Sequence, residues 1–281
     1  VRHCKQVLRR FGADAVLGMG GFTSLPPVYA GHKLGLKTFV HDSNARPGRA
    51  NVLTSRFCTQ VFLGLDAAKS FFGGRATVLT GTPVRPEIKS RPTRGEAAAL
   101  FGLDPQKMTI LVTGGSQGAR RLNELCAGAV AKFPEGIQVL HIAGALDFDR
   151  VSQIAGARAN HRVLGFCDQM PAAYAVADLI ISRSGASSLT EISIAGLPSI
   201  LVPFPYAADD HQTANARALT ECGGGTLLRQ SDMNADSVNS LLQAFIAHPQ
   251  RLCTMAAAAS AAATPDAAAR VSDYCEELIY A

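Results

Sequence analysis

The sequence predicts an α/β protein built from two parallel-sheet domains. Three observations carry this. Short β-type runs alternate with helix-length segments along the whole chain, as expected of strands joined by crossover helices. Residues 82–94, Thr-Pro-Val-Arg-Pro-Glu-Ile-Lys-Ser-Arg-Pro-Thr-Arg, put three prolines and three arginines into 13 residues and read as a linker. Segments rich in Gly, Ser and Asn fall just after strand candidates, at the carboxyl ends where open α/β sheets bind ligands.

In chain order, a helix is expected over residues 2–11, so the chain opens in mid-element and suggests a fragment. Strands are expected at 13–17, 37–41, 60–63 and 77–80 ahead of the linker. Six more are expected after it, at 108–112, 138–142, 162–164, 179–181, 199–202 and 226–228. The first domain, residues 1–90, therefore holds four strands, and the second, residues 91–264, holds the six of a Rossmann-like unit. Helices follow glycine-rich loops at 119–133 and 187–195. Thr264-Pro265 supplies an N-cap and first-turn proline for a last helix over 266–280.

With 281 residues, 47% of them hydrophobic, the chain can fill two cores of ordinary size. No apolar run approaches the roughly 18 residues of a membrane span. Seven cysteines without a C-x-x-C pair argue for a reducing compartment and against zinc. The net charge of +5 hides an asymmetry: residues 1–95 carry 15 Lys/Arg against 4 Asp/Glu, and the remainder is net acidic. The basic first part favours an anionic surface such as phospholipid headgroups, or a pyrophosphate, unless its charges only keep the domain soluble. Scattered basic residues without a nucleic-acid motif argue against nucleic acid.

Two loops have phosphate-site chemistry. Thr113-Gly-Gly-Ser-Gln-Gly-Ala-Arg120 follows one strand and opens a helix, with Ser116 offering a hydroxyl. It is neither a Walker A loop nor G-x-G-x-x-G, and a tight βα turn explains it equally well alone. Arg183-Ser-Gly-Ala-Ser-Ser-Leu-Thr-Glu191 repeats the arrangement. Glu191 there either accepts hydrogen bonds from a ribose diol or forms a capping box with Ser188 at the matching spacing of three. His41 reads as a hydrogen-bonded structural histidine in preference to a general base. His211 and Gln212 read as sugar-hydroxyl ligands or a helix start, and Asp209-Asp210 as a solvated helix turn rather than a metal pair.

Taken in order, Gly18-Met-Gly-Gly21, His41-Asp-Ser-Asn44, Gly81-Thr-Pro-Val-Arg85, Gly114-Gly-Ser-Gln-Gly-Ala-Arg120, Phe166-Cys-Asp-Gln-Met170, Arg183-Ser-Gly-Ala186, Thr190-Glu191, Gly196-Leu-Pro198, Val202-Pro-Phe204 and His211-Gln212 resemble one family across nearly the whole chain. It is that of the bacterial transferases that add N-acetylglucosamine to undecaprenyl-pyrophosphoryl-N-acetylmuramoyl-pentapeptide. The resemblance implies a GT-B fold, two Rossmann-like domains with a cleft between them. It implies UDP-N-acetylglucosamine as donor and lipid I, the undecaprenyl-diphosphate-linked muramoyl-pentapeptide, as acceptor. It implies inversion by direct displacement, no cofactor or metal, and a peripheral place on the cytoplasmic face of the bacterial membrane.

By the same resemblance, Ser116 holds the donor diphosphate. Ala186, Ser187, Ser188, Leu189 and Thr190 meet diphosphate and ribose, and Glu191 takes the ribose hydroxyls. Cys167 meets the uracil through its backbone, Gln212 reads the N-acetylglucosamine, and Asn44 and Arg85 reach the donor from the first domain. That domain is expected to face acceptor and membrane, and residues 265–281 to pack back on it. The family commonly has Glu-Gln where this chain has Asp42-Ser43. Its opening glycine-rich loop, which carries a histidine, is not found here, so the first domain is expected to be incomplete and no catalytic base is assigned. Other readings are a diacylglycerol-directed relative with the same donor site, a UDP-sugar 2-epimerase, and a non-catalytic UDP-sugar-binding module. The Gly-Met-Gly-Gly and His-Asp-Ser-Asn segments favour the peptidoglycan enzymes.

Overall fold

The computed structural model describes residues 1–115 and 119–280. They form two compact units. One comprises Val1–Val84, Ala208–Ala218 and Thr264–Ala281, and the other Arg85–Ala207 and Leu219–Ala263.

The first unit begins with α1 (Arg2–Phe11), β1 (Ala15–Gly18), α2 (Leu25–His32), β2 (Lys37–Asp42), α3 (Arg49–Thr54), β3 (Gln60–Leu63) and β4 (Thr77–Leu79). Its strands are parallel, in the order β1-β2-β3-β4. Side chains alternate across the sheet as the two-residue strand period requires. Val40, Val61 and Leu63 pack with Ala68 and Phe72, while Phe39 and Phe62 stack on the opposite face at 5.5 Å.

The second unit contains α4 (Arg94–Phe101), β5 (Met108–Thr113), α5 (Arg120–Ala129), β6 (Ile137–Ile142), α6 (Phe148–Ala155), β7 (His161–Leu164), α7 (Met170–Val176), β8 (Leu179–Ser182), α8 (Ala186–Ala195) and β9 (Ser199–Leu201). After them come α9 (His211–Glu221), whose first residues belong to the other unit, then β10 (Gly225–Leu227), α10 (Ala235–Ala247) and α11 (Gln250–Ala261); the last helix, α12 (Ala267–Tyr280), belongs to the first unit. The sheet is parallel throughout, ordered β10-β9-β8-β5-β6-β7. That is the Rossmann order, with the reversal between β5 and β8. Ile110, Val112, Leu179, Ile181, Ile200 and Val202 face Leu122, Cys126, Val238, Leu242 and Phe245 of α5 and α10. Each such side chain contributes about 1.5–3 kcal/mol by leaving water.

Two expectations need adjusting. The end of the Pro/Arg stretch is not loose chain. Thr93 and Glu96 form a capping box that starts α4 at Arg94. The Arg94 guanidinium grips Asp178 with two bonds of 3.0 and 2.8 Å, and Asp178 also accepts the Thr109 N–H at 2.7 Å. This planar fork ties α4 to the starts of β5 and β8. The last helix starts at Ala267, and Pro265 and Asp266 form a turn before it, because the Ala267 N–H reaches back to the Thr264 carbonyl at 3.3 Å. Val271 of α12 then packs on Phe39 and Phe62, with Cys275 and Leu278 beside it. Gly81, at φ 79°, sits where a Cβ would collide with the Thr264 side chain.

A buried polar chain crosses the second unit. Asn123 gives its amide hydrogens to the Ala143 carbonyl (2.7 Å) and the Asp147 carboxylate (3.0 Å), so its Oδ1 accepts from His141 Nε2 at 3.2 Å. His141 Nδ1 must then accept from His161 Nε2, 3.2 Å away, and both rings are neutral. Burial, reinforced by His161, lowers His141 to about 3; burial, reinforced by Arg158, lowers His161 to about 4. In the unfolded chain both titrate near 6.5. The unfolded chain therefore binds more protons between those values. Stability is full above pH 6.5 and falls as the pH drops towards 4. Urea unfolding is expected to weaken from pH 7 to pH 5, the pair contributing up to roughly 3 kcal/mol per pH unit below 6.5. His161→Leu should remove about half of that slope.

Candidate functional site

Where the strand order reverses, the carboxyl ends of β5 and β8 lie side by side, Thr113 in register with Ser182. Beyond β5 the chain runs through Gly114 and Gly115, the latter at φ 86°, with the Gly115 N–H on the Thr113 hydroxyl at 3.3 Å. Ser116 lies outside the described residues. α5 resumes at Arg120 without a side-chain cap.

Beyond β8 the arrangement is fully described. Arg183, 7% exposed, donates to the carbonyls of Val202 and Pro203 at 3.0 and 3.1 Å and to Gln230 at 2.6 Å. It thereby fixes the turn into α8. Gly185 is the N-cap, extended at φ −65° and ψ 139°, and gives no side-chain cap. The first intrahelical N–H is that of Leu189, on the Gly185 carbonyl at 3.0 Å. The N–H groups of Ala186, Ser187 and Ser188 therefore have no acceptor in the helix and present positive potential to an anion. Thr190 turns its hydroxyl back to the Ala186 carbonyl at 3.0 Å.

With Gly185 as the cap, Ser188 is the third helical residue, and the capping-box alternative for Glu191 falls. The Glu191 carboxylate instead accepts from the Tyr174 hydroxyl at 2.7 Å, with the Arg85 guanidinium 3.9 Å from its other oxygen. Burial, then the charge of Glu191, raises the Tyr174 pKa well above 10, so the phenol stays a donor. Arg85, expected to act from the first domain, lies instead in the second unit beside Tyr174 and Glu191. The sequence reading overlooked Tyr174; its one signal was a tyrosine amid alanines on α7, where a buried hydroxyl needs a partner. Cys167, 9% exposed in the loop after β7, has its thiol pKa pushed up by burial.

Asn44 and Gln212 belong to the first unit. Asp42, 2% exposed, organises the loop after β2 by accepting from the N–H groups of Asn44 (2.9 Å) and Gly48 (3.2 Å) and from Asn51 Nδ2 (2.6 Å). Asn215 of α9 donates to Asn44 Oδ1 at 3.1 Å and accepts from the Ala45 N–H at 2.8 Å; Gln212 lies one turn earlier, half-buried. A Cβ on Gly64 would meet the Ser43 backbone at 2.8–2.9 Å, so glycine is required where β3 ends beside this loop. A pocket of about 600 Å³ opens here, lined by Asn44, Arg46, Arg49, Asp209 and His211 among others. His41 is structural in its setting: buried, with Nε2 donating to the Gly81 carbonyl at 2.8 Å. Asp209 and Asp210, both left-handed at φ 52° and 53°, bind Arg49 (3.0 Å) and the Thr213 hydroxyl (2.6 Å). Among the described residues no cluster of three His, Cys, Asp or Glu could hold a metal ion.

Comparison with known proteins fits this geometry. Residues 1–63 match the glycosyltransferase family 28 N-terminal domain and residues 109–271 its C-terminal domain. The UDP-N-acetylglucosamine–N-acetylmuramyl-(pentapeptide) pyrophosphoryl-undecaprenol N-acetylglucosamine transferase of Desulfitobacterium hafniense is 38% identical over 281 residues, covering 96% of this chain and 76% of that protein. The chain belongs to this transferase family. It is a glycosyltransferase with the GT-B fold, as the ordered motifs implied. The crystal structure of Acinetobacter baumannii MurG is similar at a TM-score of 0.80 and 31% identity, covering 98% of this chain and 76% of that one. A UDP-N-acetylglucosamine 2-epimerase structure from Listeria monocytogenes shares the fold alone, with a TM-score of 0.76 at 16% identity over 96% of this chain and 76% of that one.

Asp42, where the resemblance expects Glu, spends its carboxylate on this loop. Asp42→Ala should leave three donors without their acceptor and destabilise the first unit by roughly 2–3 kcal/mol. Urea unfolding measures the loss, and limited proteolysis should reveal new cleavage within residues 43–51.

Proposed function

We propose that this chain transfers N-acetylglucosamine from UDP-N-acetylglucosamine to the muramyl 4-hydroxyl of undecaprenyl-diphosphate-linked muramoyl-pentapeptide, making lipid II from lipid I. One observation carries the donor half. An uncapped helix N-terminus at the sheet's switch point is followed, within the same helix, by a carboxylate held on a buried tyrosine. The first element suits a diphosphate and the second a ribose diol.

The acceptor oxygen attacks the anomeric carbon, the bond to UDP breaks, and the configuration inverts. Negative charge grows on the departing diphosphate. The N–H groups of Ala186, Ser187 and Ser188 stabilise it, with the α8 dipole behind them. Leu189, 5% exposed, anchors that first turn in the core, and Thr190 closes it. Glu191 accepts the ribose hydroxyls, the Cys167 backbone meets the uracil, and Arg85 adds positive charge near the carboxylate. Ser116 is assigned to the diphosphate, Asn44 to the donor and Gln212 to the hydroxyls of the N-acetylglucosamine, all from the family resemblance.

We place the protein at the cytoplasmic face of the bacterial inner membrane as a peripheral enzyme. The support is the basic excess of residues 1–95, which favours anionic headgroups. No helix among the described residues is long and apolar enough to cross a membrane.

Three measurements test this reading. Calorimetry in EDTA should show binding of UDP and UDP-N-acetylglucosamine; equal affinity for adenine nucleotides would overturn the donor assignment. Glu191→Ala should weaken UDP binding about 10-fold or more, since charge-assisted bonds are worth roughly 1.5–3 kcal/mol. Vesicles containing phosphatidylglycerol should co-sediment the protein at low salt and release it as salt screens the attraction; equal binding to neutral vesicles would argue against the electrostatic account.

A further inference from the structure

We propose that Tyr174 is a positioning residue for the donor site: its hydroxyl fixes the Glu191 carboxylate so that the remaining lone pairs face the ribose. The proposal rests on the reading of Glu191 as the ribose ligand.

A glutamate side chain has several rotatable bonds, and ordering it costs up to about 2 kcal/mol. A carboxylate that must meet two hydroxyls at once gains from being ordered before the ligand arrives. Glu191 has no helix-capping duty, because Gly185 is the cap. Its bond to Tyr174 instead links two helices, α8 and α7, at 2.7 Å. Tyr174 is only 3% exposed, so its ring is locked by the core and its hydroxyl is a fixed point.

The lone-pair count then matters. An ionised carboxylate has about four acceptor sites. Tyr174 occupies one. Arg85, at 3.9 Å, is beyond hydrogen-bond length and contributes charge only. The sites left over are enough for both hydroxyls of a ribose diol. Tyr174 acts through Glu191 and, being buried, need not touch the ligand.

A purely structural tyrosine makes a different prediction. Its loss would lower the melting temperature and leave ligand discrimination alone. The test uses the full chain, with UDP and 2′,3′-dideoxy-UDP as calorimetric probes. The wild-type chain should prefer UDP by at least about tenfold. Tyr174→Phe keeps the buried ring and removes only the hydroxyl. It should weaken UDP by about threefold to tenfold and leave the dideoxy analogue unchanged. In a Glu191→Ala background, Tyr174→Phe should add no further loss, since its route of action is gone. Equal weakening of both probes, unchanged UDP binding in Tyr174→Phe, or a further loss in the Glu191→Ala background overturns the positioning role. A wild-type chain that binds both probes equally overturns the ribose assignment of Glu191 itself.

Discussion

The reversal of strand order between β5 and β8 is the constraint on which the second unit depends. Right-handed crossovers leaving two adjacent strands in opposite directions must pass over opposite faces of the sheet. The packing follows suit: α5 packs against α10, and α8 against α11. No crossover covers the sheet edge where the two strands end. α8 begins there with the N–H groups of its first turn lacking an acceptor within the helix, and Glu191 follows in the same helix. Residue identity then refines it, through Gly185 at the cap and Tyr174 opposite the carboxylate.

Holding such a site requires charged groups in the interior, and Arg183 and Asp42 are each answered by several partners. Arg183 spends its guanidinium on two carbonyls and Gln230, joining the turns after β8 and β9. Arg94 and Asp178 do the same at the opposite end of the strands. In the first unit Asp42 replaces a network of turns by one carboxylate with three donors. Such groups stabilise little beyond neutrality when paired and cost heavily when one partner is removed. They therefore act chiefly on specificity, fixing where loops begin and which way their backbones point.

The strands were legible in the sequence because buried parallel strands are continuous apolar runs, such as Ile110-Leu-Val and Leu179-Ile-Ile. The glycine-bearing segments after strand ends were legible as motifs, and at Gly81 a positive φ and the Thr264 side chain leave no room for another residue type. What escaped depends on register and on partners distant in sequence. Arg94 looked like part of a linker, since nothing local shows that Asp178 waits 84 residues away. His141 and His161 meet only because β6 and β7 pair with His141 opposite Val163, one diagonal step from His161. The two readings of Glu191 separated only when the cap position was known, a matter of one backbone angle at Gly185.

The helix α12 has a consequence for how the molecule comes into being. Phe39 and Phe62 leave the ribosome before the second unit, yet the side chains that cover them, Val271, Cys275 and Leu278, follow it. Asn215, which fastens the loop at Asn44, also arrives late. The first unit therefore cannot close its core until the second unit has been made, whereas the sheet of the second unit is complete once β10 has emerged. The half that precedes the second unit in the chain is the half that must finish folding after it. Until then its open aromatic face is the surface a nascent-chain chaperone would cover.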